Sequence, residues 1–203
     1  IAVLQRLANC SLSPVPLFED VELTDSMIAD SGRLTAFFRI LDDIAARREK
    51  VVVFVQHFDV QAVVARAIRA RYGLDHMPGK INGTMAPAAR QKVVSEFQNG
   101  SPGFDAVVLT GRAAGTGLTL TAANHVVHLE RWWNPAVEDQ CSDRVYRIGQ
   151  TKDVMVHVPL AVFREEVDPA DSPFDLTLHQ FLERKRSRSP VSYTHLRAHE
   201  TLS

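Results

Sequence analysis

Cysteine is nearly missing from this sequence: Cys10 and Cys141 are the only two in 203 residues. They stand far apart and outside any CxxC or CxxH spacing, which argues against a thiolate zinc site and fits a reducing compartment. No apolar run approaches the roughly 20 residues that span a bilayer, and no basic-then-apolar signal peptide opens the chain. Net charge is missing too, since 23 Lys and Arg stand against 24 Asp and Glu. That balance argues against a domain gripping nucleic acid by bulk basic charge, although a local basic stripe fits inside a neutral total. A Gly-Lys-Ser/Thr phosphate loop is absent, as is a complete GxGxxG dinucleotide fingerprint. Internal repeats are absent as well. What remains is a chain that is 45% hydrophobic, long enough to bury one full core with a small appended segment.

The first residue is Ile1 rather than Met, from which the chain is expected to be an internal piece of a longer polypeptide. Residues 1–30 carry Pro14, Pro16 and several acids without a clear period, and read as an irregular lead-in. A lobe is expected over 31–165 and a helical extension over 166–190. The tail needs separate treatment. VSYTHLRAHET, at 191–201, matches the translation of a transposase-type sequencing adaptor, so residues 191–203 are expected not to be genuine protein. His195 and His199 in that tail sit at i, i+4, but Leu196 occupies the place of the Glu in HExxH, so they do not make a metalloprotease motif.

Inside the lobe, RLTAFFRILDDIAARREK places Leu34, Phe37, Phe38, Leu41 and Ile44 at helical spacing. VVVFVQ (51–56) is a continuous β-branched run, as in a parallel strand buried on both faces. A helix is expected over about 59–72 with Gly73 as its stop. Another begins at Pro87 and reaches about Gln98. DAVVLT (105–110), HVVHLE (125–130) and VMVHVPLA (154–161) are three further strand-like runs, and FDLTLHQFLERKR is a final amphipathic helix with a basic end. Alternation of this kind predicts an α/β fold, a parallel sheet covered by helices on both faces.

Two stretches carry chemistry. LTGRAAGTGLTL (109–120) follows a buried strand directly, where a glycine-rich loop at the carboxyl edge of a parallel sheet lets backbone N–H groups approach an anion. Gly115 and Gly117 are placed for that role, or simply for a tight turn, and Thr110 and Arg112 could hydrogen-bond phosphates. The second is RWWNPAVEDQCSDRVYRIGQ. Asn134 and Pro135 form a cap followed by proline at the first helical position, and Gly149 is a natural stop, so one helix is expected between them. At about 100° per residue, Val137, Cys141, Val145 and Ile148 make an apolar stripe, with Gln140, Arg144 and Arg147 along its edge. A guanidinium near a core needs an anion. That anion is either an internal carboxylate (Asp139, Asp143 or Glu130) or a ligand. Trp132 and Trp133 either stack on or wedge a nucleic acid, or pack as core and interface.

INGTMAPAARQKVVSEFQ, VVVFVQH and VVLTGRAAGTGLTLTAANHVVHLERWWNPAVEDQCSDRVYRIGQTKDV resemble, in order and spacing over about 31–185, the successive motifs of the second RecA-like lobe of Swi/Snf-type DNA-dependent ATPases, within superfamily-two helicases. The resemblance implies a RecA-like fold of the P-loop NTPase type without its own phosphate-binding lysine loop. It implies arginine fingers at Arg144 and Arg147, supported by Gln140 and Gln150, acting on ATP and Mg2+ held mainly by a first lobe of the same polypeptide. It further implies DNA-backbone contacts at Thr110 and Arg112, a loop shaped by Gly115 and Gly117, and a nucleic-acid role for Trp133. The expected partner is double-stranded DNA and the expected activity ATP-driven translocation, in a cytoplasmic, nucleoid or, in a eukaryote, nuclear setting. A strand-separating helicase lobe and a non-catalytic binding module are the alternatives. Two departures stand out: Ala113-Ala114-Gly115 replaces the usual Ala-Gly-Gly, and Thr119 replaces the usual Asn.

Overall fold

The computed structural model describes residues 10–13, 16–111, 117–162 and 173–187. Arg112, Gly115 and the tail at 191–203 lie outside the described residues. Five strands form one sheet: β1 (Lys50–Val55), β2 (Gly79–Ile81), β3 (Asp105–Thr110), β4 (His125–His128) and β5 (Met155–His157). Every pairing is parallel, and the strand order is β2-β3-β1-β4-β5. β1 is central, with Val53 beside Val108 on one side and Val127 on the other.

Buried on both faces, β1 sends alternate side chains to two cores. Val51, Val53 and Val55 meet Leu34, Phe37, Leu41 and Ile44 of one helix (Gly32–Ala46) and Val60, Val64 and Ile68 of another (Phe58–Tyr72). Val52 and Phe54 meet Val94 and Phe97 of a helix at Pro87–Asn99, together with Leu118, Leu120, Cys141 and Val145. The continuous apolar run in the sequence is thus the consequence of helices on both sides.

The helices, in chain order, are α1 (Asp25–Ala29), α2 (Gly32–Ala46), α3 (Phe58–Tyr72), α4 (Pro87–Asn99), α5 (Pro135–Ser142) and α6 (Phe174–Ser187). Local chemistry sets their ends. The Ser31 hydroxyl accepts from the Leu34 N–H at the start of α2, and Gly73 closes α3 in the left-handed region at φ +59°. Pro87 and Pro135 each occupy a first turn, where the missing N–H is not needed. α6 is stapled to α2 by a buried Arg33–Asp175 pair, with Arg33 Nε donating to Asp175 Oδ2 at 2.9 Å.

Two elements differ from the sequence expectation. The segment at 1–30 includes α1, whose first turn is capped by Thr24 Oγ1 accepting from the Met27 N–H at 3.3 Å. The short edge strand β2 went unread because three residues, one glycine and one lysine among them, carry no period; only its pairing with Val107–Leu109 of β3 defines it. Gly79 in that strand is required by close packing, since a Cβ there would lie 2.7 Å from Val93 Cγ1.

Candidate functional site

The stretch after Asn134 departs most from its sequence pattern. α5 begins as expected, with Asn134 Oδ1 accepting from the Ala136 N–H at 3.2 Å, but it ends at Ser142. Residues 143–149 are turns, so Arg144 and Arg147 do not share a helix face, and the expected helix through Gly149 is corrected accordingly. Tertiary hydrogen bonds hold the chain in those turns. The Leu120 N–H donates to the Arg144 carbonyl at 2.8 Å. Gln150 Nε2 donates to the carbonyls of Ala123 (2.7 Å) and Thr121 (3.2 Å), while its Oε1 accepts from the N–H groups of Thr151 and Lys152 at 3.0 Å each. Cys141 and Val145 stay fully buried, but Ile148, the last member of the expected stripe, is 100% exposed.

The two arginines therefore sit on a fixed surface turn against the glycine stretch. Arg147 Nη1 donates to the carbonyls of Gly117 (3.0 Å) and Leu118 (3.1 Å) and to Thr119 Oγ1 (3.3 Å). Gly117 has φ +70°, a conformation that strains any other residue. Arg144 is half-buried, and its Nε is buried without a hydrogen-bond partner among the described residues. Two of the three internal carboxylates are otherwise engaged. Asp139 accepts from Arg186, and Glu130 accepts from the backbone N–H of Gln56 (2.6 Å) and pairs with His57 Nδ1 (2.8 Å). Burial and the neighbouring Asp139 push the Asp143 carboxyl upward, against the pull of both arginines. Among the described residues no carboxylate lies within 4 Å of either guanidinium.

Other sequence candidates fall differently. Gln140 is exposed on α5. Thr110 ends β3 and is 2% exposed, its hydroxyl without a partner among the described residues. Trp133 packs edge-on to Phe174 of α6 at 6.2 Å, and its carbonyl accepts from Lys185 Nζ at 3.2 Å. Trp132 lies edge-on to Phe54 and His128 and fills the space beside Gly111, where a Cβ would come within 2.4 Å of the indole. A Gly111→Ala substitution should displace that ring and cost about 1–3 kcal/mol, read as a shift in denaturant midpoint.

Sequence reasoning missed the buried network beneath the turn. Glu138 accepts from Arg131 Nε (2.7 Å) and Nη2 (2.8 Å), from the Trp132 N–H (3.0 Å) and from Arg186 Nη2 (2.8 Å) of α6. Burial alone would raise its carboxyl, but the Arg131 and Arg186 guanidiniums reverse this and hold it below the ordinary range. The only sequence signal was an acid in the first turn of a helix.

His128 lies under the same network. The Ser142 hydroxyl donates to the Glu138 carbonyl at 3.1 Å, so it accepts from His128 Nε2–H at 3.0 Å, and Nδ1 is buried without a partner among the described residues. Burial pushes the imidazole down from 6.5 to about 4. The unfolded chain consequently takes up a proton in this window that the folded chain refuses. Stability is full above about pH 6.5 and falls as pH drops toward 4, by about 3 kcal/mol in all. Urea midpoints should decline across that window more steeply in the wild-type chain than in a His128→Asn variant. His57, raised by its hydrogen bond to Glu130, works in the opposite sense: its contribution is present at low pH and lost as pH rises through its folded value.

Among the described residues no group of three or more His, Cys, Asp or Glu is arranged to hold a metal ion, and no helix is long and apolar enough to cross a membrane.

Comparison with known proteins gives a consistent picture. The profile of the helicase conserved C-terminal domain matches residues 33–149. The chain is 35% identical over 182 residues to the Zorya protein ZorD of Escherichia coli, covering 87% of this chain and 15% of that protein. It is 34% identical over 170 residues to the putative ATP-dependent helicase/translocase YwqA of Bacillus subtilis, covering 83% and 18% respectively. The chain thus spans less than a fifth of the length of these curated relatives. The Sulfolobus solfataricus SWI2/SNF2 ATPase core in complex with dsDNA superposes with a TM-score of 0.70 at 30% identity, over 92% of this chain and 36% of that one.

Proposed function

Because this chain belongs to the helicase conserved C-terminal domain family, as the second RecA-like lobe of a Swi/Snf-type ATPase, we propose that it supplies the arginine half of an ATPase site whose other half lies on a first lobe. The family is one of ATP-dependent nucleic-acid translocases. The finer reading is that Arg144 and Arg147 reach the terminal phosphates of ATP, and that closure and reopening of the two lobes move the protein along double-stranded DNA. One observation carries it. Two guanidiniums sit on one hydrogen-bonded turn beside a glycine stretch, and no described carboxylate lies within 4 Å of either, Asp143 acting on them only at longer range.

In phosphoryl transfer the protein contributes mainly position and charge. The hydrogen bonds from Arg147 Nη1 to the 117–119 stretch orient its guanidinium in advance, leaving Nη2 and Nε as donors toward an anion. Arg144, half-buried with its Nε covered and unpaired, becomes the second donor when its side chain turns outward as the lobes close. Gln150 acts at one remove, since its amide ties the turn to residues 121–123 and so sets where both arginines stand. Exposed Gln140 is available to the nucleotide or the opposing lobe. Arg112 is the residue we assign to the DNA backbone, where a contact fixes register and carries no base information; the Thr110 hydroxyl, expected from the sequence to share that role, is buried at the end of β3 and does not reach DNA in this conformation. Bound Mg2+ would supply charge neutralisation at the phosphates, from ligands on the first lobe.

ATP turnover by the complete polypeptide tests this reading, with and without blunt double-stranded DNA. Stimulation by the blunt duplex without strand displacement is expected. Turnover indifferent to DNA would overturn the translocase reading.

A further inference from the structure

Ile148 is 100% exposed and Tyr146 is 65% exposed. Single exposed apolar side chains are ordinary, but these two differ in where they stand and how rigidly they are held. They flank Arg147 on the turn that carries both arginines. That turn is fixed at each end, by the Leu120 N–H on the Arg144 carbonyl (2.8 Å) and by the Gln150 N–H on the Arg147 carbonyl (2.9 Å). Its middle is held by the Arg147 side chain on Gly117 and Leu118. Immediately after Ile148 comes Gly149, with φ +101°, a conformation that other residues rarely adopt. A β-branched side chain on a fixed turn loses little freedom when it is covered, which favours its use as a contact.

The occupant follows from the chemistry of the neighbours. An arginine finger acts only in direct reach of phosphates held by another body, so residues on either side of it must meet the surface of that body. The curated relatives ZorD and YwqA extend far beyond the segment they share with this chain. The two guanidiniums, without a described carboxylate partner, call for an anion at the centre of the contact. The exposed Ile148 and Tyr146 call for an apolar rim around it.

We propose that Ile148, with Tyr146 beside it, is the apolar pin by which this lobe docks on the first lobe of the same polypeptide when nucleotide closes the cleft. The inference rests on the finger reading above. Ile148 is then a positioning residue: it touches neither phosphate nor DNA, but sets how much of the population holds Arg147 at the nucleotide.

The test uses the complete polypeptide with one fluorescent label on each lobe and a non-hydrolysable ATP analogue as the probe of closure. In an Ile148→Ser variant the analogue concentration for half-closure should rise about 10- to 100-fold, the worth of one buried isoleucine side chain. KM for ATP should rise with it, kcat at saturation should fall far less, and Ile148→Leu should restore closure. The unfolding midpoint should stay at the wild-type value, because this side chain is fully exposed. An Ile148→Ser protein that closes at the wild-type concentration overturns the proposal, as does one that unfolds at a lower temperature. Self-association of the wild type that Ile148→Ser abolishes would also overturn it, by assigning the pin to a second copy. Failure of the finger reading is separable, because Arg147→Ala should not turn over at any ATP concentration, whereas Ile148→Ser should turn over near the wild-type rate once ATP saturates it. Normal turnover by Arg147→Ala would remove the fingers and leave the closure measurement standing.

Discussion

Replacing Arg147 by alanine in the complete polypeptide should lower DNA-stimulated ATP turnover by about three to five orders of magnitude. ATP affinity should change little, because the phosphates are held mainly elsewhere and the guanidinium acts on charge that develops as the γ-phosphoryl departs. Lysine should rescue poorly. Arg147 uses one nitrogen on the carbonyls of Gly117 and Leu118 while presenting the rest of a planar fork outward, and an ammonium is a point charge that cannot do both. The cost to folding should be small, since those hydrogen bonds are at the surface and a typical one contributes about 1 kcal/mol. Steady-state turnover together with thermal unfolding of the same preparation checks both halves. A tenfold loss or less would remove Arg147 from the chemistry.

Glu138→Gln should destabilise the lobe by about 3–5 kcal/mol. The Glu138 carboxylate accepts four hydrogen bonds and pairs with Arg131, both side chains of that pair being 3% exposed or less. An amide keeps the shape but removes the charge, stranding the Arg131 guanidinium in a low-dielectric site with His179 as its remaining side-chain partner. α6 should loosen as well, because Arg186 reaches Glu138 from that helix. Asp42→Asn is the comparison: Asp42 and Arg71 form an equally well-shaped pair, but with side chains 45% and 39% exposed. Solvent already screens that pair, so its loss should cost no more than about 1 kcal/mol. Denaturant midpoints of the two variants decide the matter, and equal shifts would contradict this account of the network.

These contrasts explain what the sequence showed and what it withheld. VVVFV and DAVVLT were legible as central strands because burial on both faces leaves an unbroken β-branched run, and Gly73 and Asn134-Pro135 were legible because helix ends are set by neighbouring residues. The family resemblance, carried by the run from Thr110 to Gln150, agrees with the matching domain profile and with the SWI2/SNF2 cores. The end of α5 was not legible. Its apolar period continues through Val145 to Ile148, but the bonds that turn the chain come from Leu120, Thr121 and Ala123, more than twenty residues earlier. Glu138 and Arg186 meet across 48 positions and His128 and Ser142 across 14, distances at which no local pattern operates. Hence the arginines, Gly117 and Gln150 stood in plain view, while the bonds that join them into one turn were hidden.

The central claim is that this lobe donates charge to a transition state formed on another. Its most direct test compares two ligands on the complete polypeptide bound to duplex DNA: a non-hydrolysable ATP analogue as ground state, and ADP with aluminium fluoride as transition-state mimic. The account predicts that Arg147→Ala binds the first within a few-fold of wild type and loses about a thousandfold or more on the second. Equal affinity for the mimic in wild type and variant, or equal losses on both ligands, would contradict it.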